Sequence, residues 1–179
     1  MLAGEPYNSL KDPELFADSR KAESLCAEMG GLRPHSEAFK RLQAELLPNA
    51  DKSLFIRGPF YCDYGYNIFI GRKVYINYDC MMLDGARITI GDNVLIAPKV
   101  QFYTINHPLG HLDRRTGLEI AKPITVEDDC WIGGGCVICP GVTIGARSVI
   151  GAGSVVSRDI PPDSVAVGNP ARVVRKIPS

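Results

Sequence analysis

From about residue 60 onward the chain repeats itself every six residues. Val126, Ile132, Ile138, Ile144, Ile150 and Val156 each stand six after the last, and Gly133, Gly145 and Gly151 follow three of them. Ile70, Ile76 and Met82 keep the same spacing, and after a shift of two residues it resumes at Ile90, Ile96 and Phe102. An α-helix repeats at 3.6 residues and a strand at 2, so a sustained six means a short straight segment and a corner, over and over. Small or slim residues such as Val74, Cys80, Val94, Cys130, Cys136, Ser148 and Ser154 recur four after the anchors. Glycine after an anchor is expected to supply the backbone freedom that a corner needs. The pattern predicts an all-β solenoid whose parallel coils stack at roughly 4.8 Å and pair through their backbones.

Two interruptions break the period. Leu83–Thr89, around Asp84-Gly85, reads as a widened corner. Residues 103–123 carry no sixfold anchor and contain Asn106-His107-Pro108, Gly110, His111 and Arg114-Arg115. A long excursion from a regular scaffold is a place to look for function.

Residues 1–55 have a different character and form a predicted helical cap on the solenoid of residues 56–179. Asp12 can cap and Pro13 can open a helix that turns Leu15, Ala22, Leu25 and Met29 to one side and ends at Gly30-Gly31. A second helix follows Ser36, points Phe39, Leu42, Leu46 and Leu47 inward, and stops at Pro48. Neither can bury its stripe alone, so both must dock.

Composition narrows the partners. Twenty basic residues balance twenty acidic ones, which argues against nucleic acid or an anionic membrane as the main partner. No run of apolar residues is long enough to span a bilayer and no secretory leader precedes the cap, so a cytoplasmic location is expected. The six cysteines are expected as free thiols. Cys136 and Cys139 form a C-x-x-C, but no second pair lies at the spacing of a zinc site, so no metal is expected.

A set of ordered motifs then names a family. They are Asp63-Tyr64-Gly65-Tyr66-Asn67-Ile68, Ile90-Gly91-Asp92-Asn93-Val94, Ile96-Ala97-Pro98, His107-Pro108, Trp131-Ile132-Gly133-Gly134, Pro140-Gly141-Val142-Thr143-Ile144-Gly145 and Gly168-Asn169-Pro170-Ala171-Arg172. Together, and over nearly the whole chain from Ala3-Gly4-Glu5, these resemble the maltose and galactoside O-acetyltransferases of the hexapeptide-repeat superfamily. The resemblance implies a left-handed parallel β-helix of triangular section, a homotrimer, and transfer of acetyl from acetyl-CoA to a sugar hydroxyl. The hand comes from the resemblance alone, since most parallel crossovers are right-handed.

That chemistry needs a base for the hydroxyl proton, a donor for the carbonyl oxygen and a dry slot. His107, in the excursion and stiffened by Pro108, is the candidate base; His35 and His111 read as bystanders. Glu119 is the carboxylate to test as the partner that fixes the tautomer of His107, a solvated loop glutamate being the plain alternative. Asn77 matches a family position near the reacting acetyl group. Asp63 and Asp84 match acceptor-side positions, although either could simply fix a coil corner. Gly85 stands where galactoside-type members carry a second aspartate, which points to a maltose- or glucose-type acceptor.

For the donor, Gly134, Ala152, Ser157, Arg158, Arg172 and Arg175 match family positions, and the Gly134 amide can donate to the thioester oxygen where some members have serine. Trp131 is either a channel wall or a subunit contact. With no nucleophile motif, transfer is expected to be direct within a ternary complex. A narrow prism offers little concavity, so the site is expected between subunits. Three rival readings remain: a non-sugar hydroxyl as acceptor, a metal-dependent solenoid hydratase, and a solenoid that only binds.

Overall fold

The computed structural model describes residues 1–178; Ser179, the last residue of the predicted solenoid unit, lies outside the described residues. Two helices open the chain. α1, Pro13–Gly30, is capped by Asp12, whose Oδ1 accepts from the amides of Glu14 and Leu15 at 3.0 and 3.2 Å. α2, Glu37–Leu46, is capped by Ser36, whose Oγ accepts from the Phe39 amide at 3.2 Å. The inward stripe of α1 is Ala22, Cys26 and Met29, with Leu25 and Leu15 only partly covered. Phe39, Leu42 and Leu46 of α2, and Leu47 just after it, are buried in the same core as the first coils.

The rest is a parallel solenoid of three faces. The first face stacks Phe55–Ile56, Tyr75–Ile76, Leu95–Ile96, Trp131–Ile132, Val149–Ile150 and Ser164–Val167. The second stacks Phe60–Cys62, Cys80–Leu83, Gln101–Tyr103, Val137–Ile138 and Val155–Val156. The third stacks Ile68–Ile70, Ile88–Ile90, Ile124–Val126 and Thr143–Ile144. In-register pairing places Ile56, Ile76, Ile96, Ile132 and Ile150 in one fully buried column. Each such side chain is worth roughly 2 kcal/mol of burial, and each column continues from coil to coil. A closing strand, Arg172–Lys176, folds back antiparallel on Ser164–Val167.

The corners are built differently from the expectation. Positive φ falls three residues after the anchors, at Lys73, Asp79, Asn93, Lys99, Asp129, Gly135, Gly141, Arg147 and Gly153. Gly133, Gly145 and Gly151, directly after their anchors, are not left-handed. Their glycine answers a different demand, the closeness of the next coil. A Cβ on Gly133 would lie 2.6 Å from the Ala152 amide nitrogen and 2.7 Å from the Ile150 carbonyl oxygen, both backbone atoms. Gly133→Ala is therefore expected to cost about 2 kcal/mol by forcing two coils apart. A denaturation midpoint equal to that of the wild type would show that the coils yield.

The 103–123 excursion is more ordered than a bare loop. Ile105–Asn106 and Ile120–Ala121 form an antiparallel pair, and a four-residue helix, α3, spans His111–Arg114. The N-terminal segment adds to that pair: the Tyr7 amide donates to the Glu119 carbonyl at 3.0 Å, and the Glu119 amide returns the bond at 2.9 Å. Asn8 Nδ2 also donates to the Thr116 carbonyl at 2.8 Å. The cap thus reaches past its own helices to fix the excursion.

Candidate active site

The excursion leaves the solenoid at the edge between the second and third faces, directly above the corners that hold Asp63 and Asp84. His107 follows the strand Ile105–Asn106, and its Nδ1 lies 3.3 Å from the Leu118 carbonyl oxygen. With that carbonyl as acceptor, Nδ1 carries the proton and Nε2 keeps its lone pair. The backbone just beyond His107 is held by Arg114, whose Nη1 donates to the carbonyls of Pro108 and Leu109, each at 3.0 Å. The imidazole is exposed on one side and on the other lines an open cleft of about 390 Å³ with Asp63, Tyr103, Ile105 and Glu119.

Two of the expected roles change. The partner on Nδ1 of His107 is a backbone carbonyl, not the Glu119 carboxylate. Glu119 instead faces Tyr7, whose buried hydroxyl is pushed well above its ordinary range by burial first and by Glu119 next. Asp84 is fully buried and cannot touch an acceptor. Its Oδ1 accepts from the amides of Asp63 and Tyr64 at 3.1 and 2.9 Å, and its Oδ2 from those of Gly65 and Asn67 at 2.8 and 3.2 Å. The carboxylate is spent on shaping a corner, because four amides converge there with no carbonyl to take them.

Asp63 is what that corner presents. Its Oδ2 is buried with no partner among the described residues, and the side chain lines the cleft with His107 and Glu119. Burial, then the charges of Asp84 and Glu119, raise its pKa to about 7. A carboxyl raised this far binds a proton in the folded chain that it has lost in the unfolded chain between about pH 4 and 7. Stability therefore falls as pH rises through that window. Asp63→Asn is expected to gain about 2 kcal/mol over the wild type at pH 8 and nothing at pH 4, after discounting for partial exposure. Parallel melting curves against pH at one protein concentration would contradict it.

A second group of expected residues lies along another edge, between the first and second faces. The ladder of amide bonds from Arg57 to Ile76, Asn77 to Ile96, Ala97 to Ile132, Gly133 to Ile150 and Gly151 to Ala166 puts Arg57, Asn77, Ala97, Gly133 and Gly151 at one position on successive rungs. Gly134 and Ala152 are the next residues on adjacent rungs, and their amides donate to no atom among the described residues. Arg172 pairs with Val167 at the C-terminal end of this edge. Asn77 is half-buried, and its Oδ1 accepts from the Tyr78 amide at 2.9 Å, leaving its NH₂ free. Ser157 and Arg158 sit exposed on the His107 edge, and Arg175 lies opposite Val165 on the first face.

One chain thus divides the expected residues between two edges of its second face. Asp63, the His107 excursion, Ser157 and Arg158 lie on one; Asn77, Gly134, Ala152 and Arg172 lie on the other. Trp131 is more than half exposed on the first face. Among the described residues no cluster of three or more His, Cys, Asp or Glu side chains is placed to hold a metal, and no helix is long and apolar enough to cross a membrane.

The unspent amides of Gly134 and Ala152, about 4.8 Å apart on neighbouring rungs, suit a ligand with a row of carbonyl oxygens. The pantetheine arm of coenzyme A has such a row, so these residues fit that group.

Comparison with known proteins agrees. Residues 1–50 match the maltose acetyltransferase hexapeptide capping motif, and residues 123–158 match the bacterial transferase hexapeptide family of six repeats. A Saccharomyces cerevisiae protein, provisionally named an acetyltransferase, is 48% identical over 99% of this chain and 91% of its own. The crystal structure of a maltose O-acetyltransferase from Clostridium difficile 630 superposes with a TM-score of 0.95 at 42% identity, over 99% of this chain and 95% of that one. A galactoside acetyltransferase in complex with coenzyme A superposes with a TM-score of 0.94 at 40% identity, over 98% and 88%. The solenoid is therefore a left-handed β-helix, and the chain belongs to the hexapeptide-repeat acetyltransferases of the maltose and galactoside O-acetyltransferase type.

Proposed function

We propose that this acetyltransferase moves acetyl from acetyl-CoA to a sugar hydroxyl, with His107 as general base, in a site shared between subunits of a homotrimer. The observation that carries the reading is the cleft that His107, its Nε2 freed by the Leu118 carbonyl on Nδ1, lines together with the Asp63 side chain. A sugar hydroxyl donating to Asp63 is oriented there, and a neighbouring hydroxyl can surrender its proton to Nε2 as its oxygen attacks the thioester carbonyl. His107 then returns that proton to the departing thiolate. The Gly134 amide and the Asn77 NH₂ are suited to stabilise the carbonyl oxygen as it becomes negative.

The separation of the two edges is the argument for a shared site. They are a face apart, roughly 15 Å for five extended residues, too far for one bound acetyl group to touch both. Setting the His107 edge of one subunit against the Asn77 edge of the next unites base, acceptor residues and donor amides. Such a head-to-tail contact is heterologous and closes naturally into a ring.

The test is a thiol-release assay with acetyl-CoA and glucose, maltose, isopropyl thiogalactoside and chloramphenicol, beside a mass measurement of the active particle. Turnover of the sugars by a trimer is expected. Turnover of chloramphenicol alone would move the reading to a non-sugar acceptor, and an active monomer would refute the shared site.

A further inference from the structure

Arg57 occupies the same edge as Asn77, one rung toward the N-terminus. Its guanidinium is held in place: Nε donates to the Tyr75 hydroxyl at 2.7 Å and Nη1 to the Tyr78 hydroxyl at 2.6 Å. It also lies 5.3 Å from the centroid of the Tyr78 ring and 5.8 Å from that of Phe55. Two of its five N–H groups are thereby used, and among the described residues no carboxylate makes an ion pair with it. A solvent-facing guanidinium, fixed by neutral phenols and without a counter-ion among the described residues, is pre-organised to bind an anion.

The order of the rungs says which anion. Gly134 and Ala152, the donor-side amides, lie two and three rungs from Asn77 toward the C-terminus, and Arg172 lies beyond them. Coenzyme A laid along those rungs runs away from Arg57, whose backbone is about 5 Å from that of Asn77 on the opposite side. What meets Arg57 is therefore the acceptor.

We propose that Arg57 recognises an acidic group on the acceptor, so that the preferred acceptor is a sugar carrying a carboxylate or a phosphate. This rests on the reading above, in which the acceptor's hydroxyls lie at Asp63 and His107 across the subunit boundary. The acid group points the other way, toward the Asn77 edge, away from the Asp63 and Glu119 carboxylates that repel it. Arg57 supplies charge, direction and, through its planar fork, a preference for a two-oxygen group.

The experiment compares thiol-release rates with glucose, glucuronate and glucose 6-phosphate on the wild type, on Arg57→Gln, which loses the charge, and on Arg57→Lys, which keeps it. The wild type is expected to favour at least one acid over glucose by about tenfold or more in kcat/KM. That ratio should fall about 10- to 100-fold in Arg57→Gln, through the KM of the acid, and recover in part in Arg57→Lys. Because the ratio is internal to each protein, a loss of folded material does not alter it. The two acids separate a carboxylate site from a phosphate site. Turnover of glucose with no advantage for either acid, or a ratio that Arg57→Gln leaves in place, overturns this inference alone. Failure of the wild type on all three sinks the sugar reading and takes this inference with it.

Discussion

Alanine in place of His107 is expected to lower turnover by about 10²–10⁴-fold, roughly 3–5 kcal/mol of barrier, while the affinity for acetyl-CoA stays nearly unchanged. The asymmetry follows from geometry. The donor-side amides at Gly134 and Ala152 lie on a different edge from the excursion that bears the imidazole, so truncating the ring leaves them intact. What is lost is the transfer of a proton during attack, an interaction present only in the transition state, so kcat and kcat/KM should drop together. Glutamine at the same position can accept a hydrogen bond but cannot take the proton, and is expected to be nearly as slow. Single-turnover kinetics with saturating acetyl-CoA measures the effect directly. Turnover within threefold of the wild type would remove His107 as the base and favour a solenoid in which another group, or water, takes the proton.

The residues that revealed this site and those that escaped notice differ in kind. The sixfold spacing of aliphatic anchors was legible because burial acts on side chains, and every anchor from Ile70 to Val156 is buried in the column its spacing implies. Asp12 was legible as a helix cap, and Ser36 as the residue before the second helix, because such side chains bind the orphan amides of a helix start. The corner glycines were misread for a related reason. Sequence shows that Gly133 lacks a Cβ but not whether backbone rotation or a neighbour's closeness requires it, and only the stacked coil reveals the Ala152 amide nitrogen 2.6 Å from where that Cβ would be.

The hydrogen-bond partner of His107 could not be found from residue types at all. A carbonyl such as that of Leu118 is present in every residue, so nothing in the sequence marks it, whereas Glu119 next to it attracts notice by its charge. Arg57 was missed because its tyrosine partners are 18 and 21 residues away, a separation that acquires meaning only once coils are stacked. For Asp84 the two available roles, acceptor contact and corner support, call for the same residue type. Exposure decides between them.

Asp84→Ala is the substitution expected to cost the most stability, about 3–5 kcal/mol. Four amides, those of Asp63, Tyr64, Gly65 and Asn67, converge on its two carboxylate oxygens, and the site is fully buried. Burial holds the carboxyl above its ordinary pKa in spite of those bonds, so keeping the group here is itself costly. Removing it is costlier. Each buried N–H left without an acceptor costs roughly 1–3 kcal/mol, and although four such losses do not simply add, a cavity that cannot admit enough water leaves most of them in place. The corner has no easy way to relax. Gly65 is left-handed at φ +83, and a Cβ there would come within 2.1 Å of the Leu46 carbonyl oxygen, so the turn is wedged against the end of α2. Asparagine is expected to rescue only part of the loss, since it offers one oxygen to four donors and turns its own NH₂ toward them. Because the same turn aims Asp63 into the cleft, the alanine variant should also raise the acceptor KM more than that of acetyl-CoA. Denaturant unfolding at a fixed protein concentration, beside the two KM values, measures both effects. A variant that unfolds within about 1 kcal/mol of the wild type would mean that the corner finds other partners for its amides, and that Asp84 does not hold Asp63 in place.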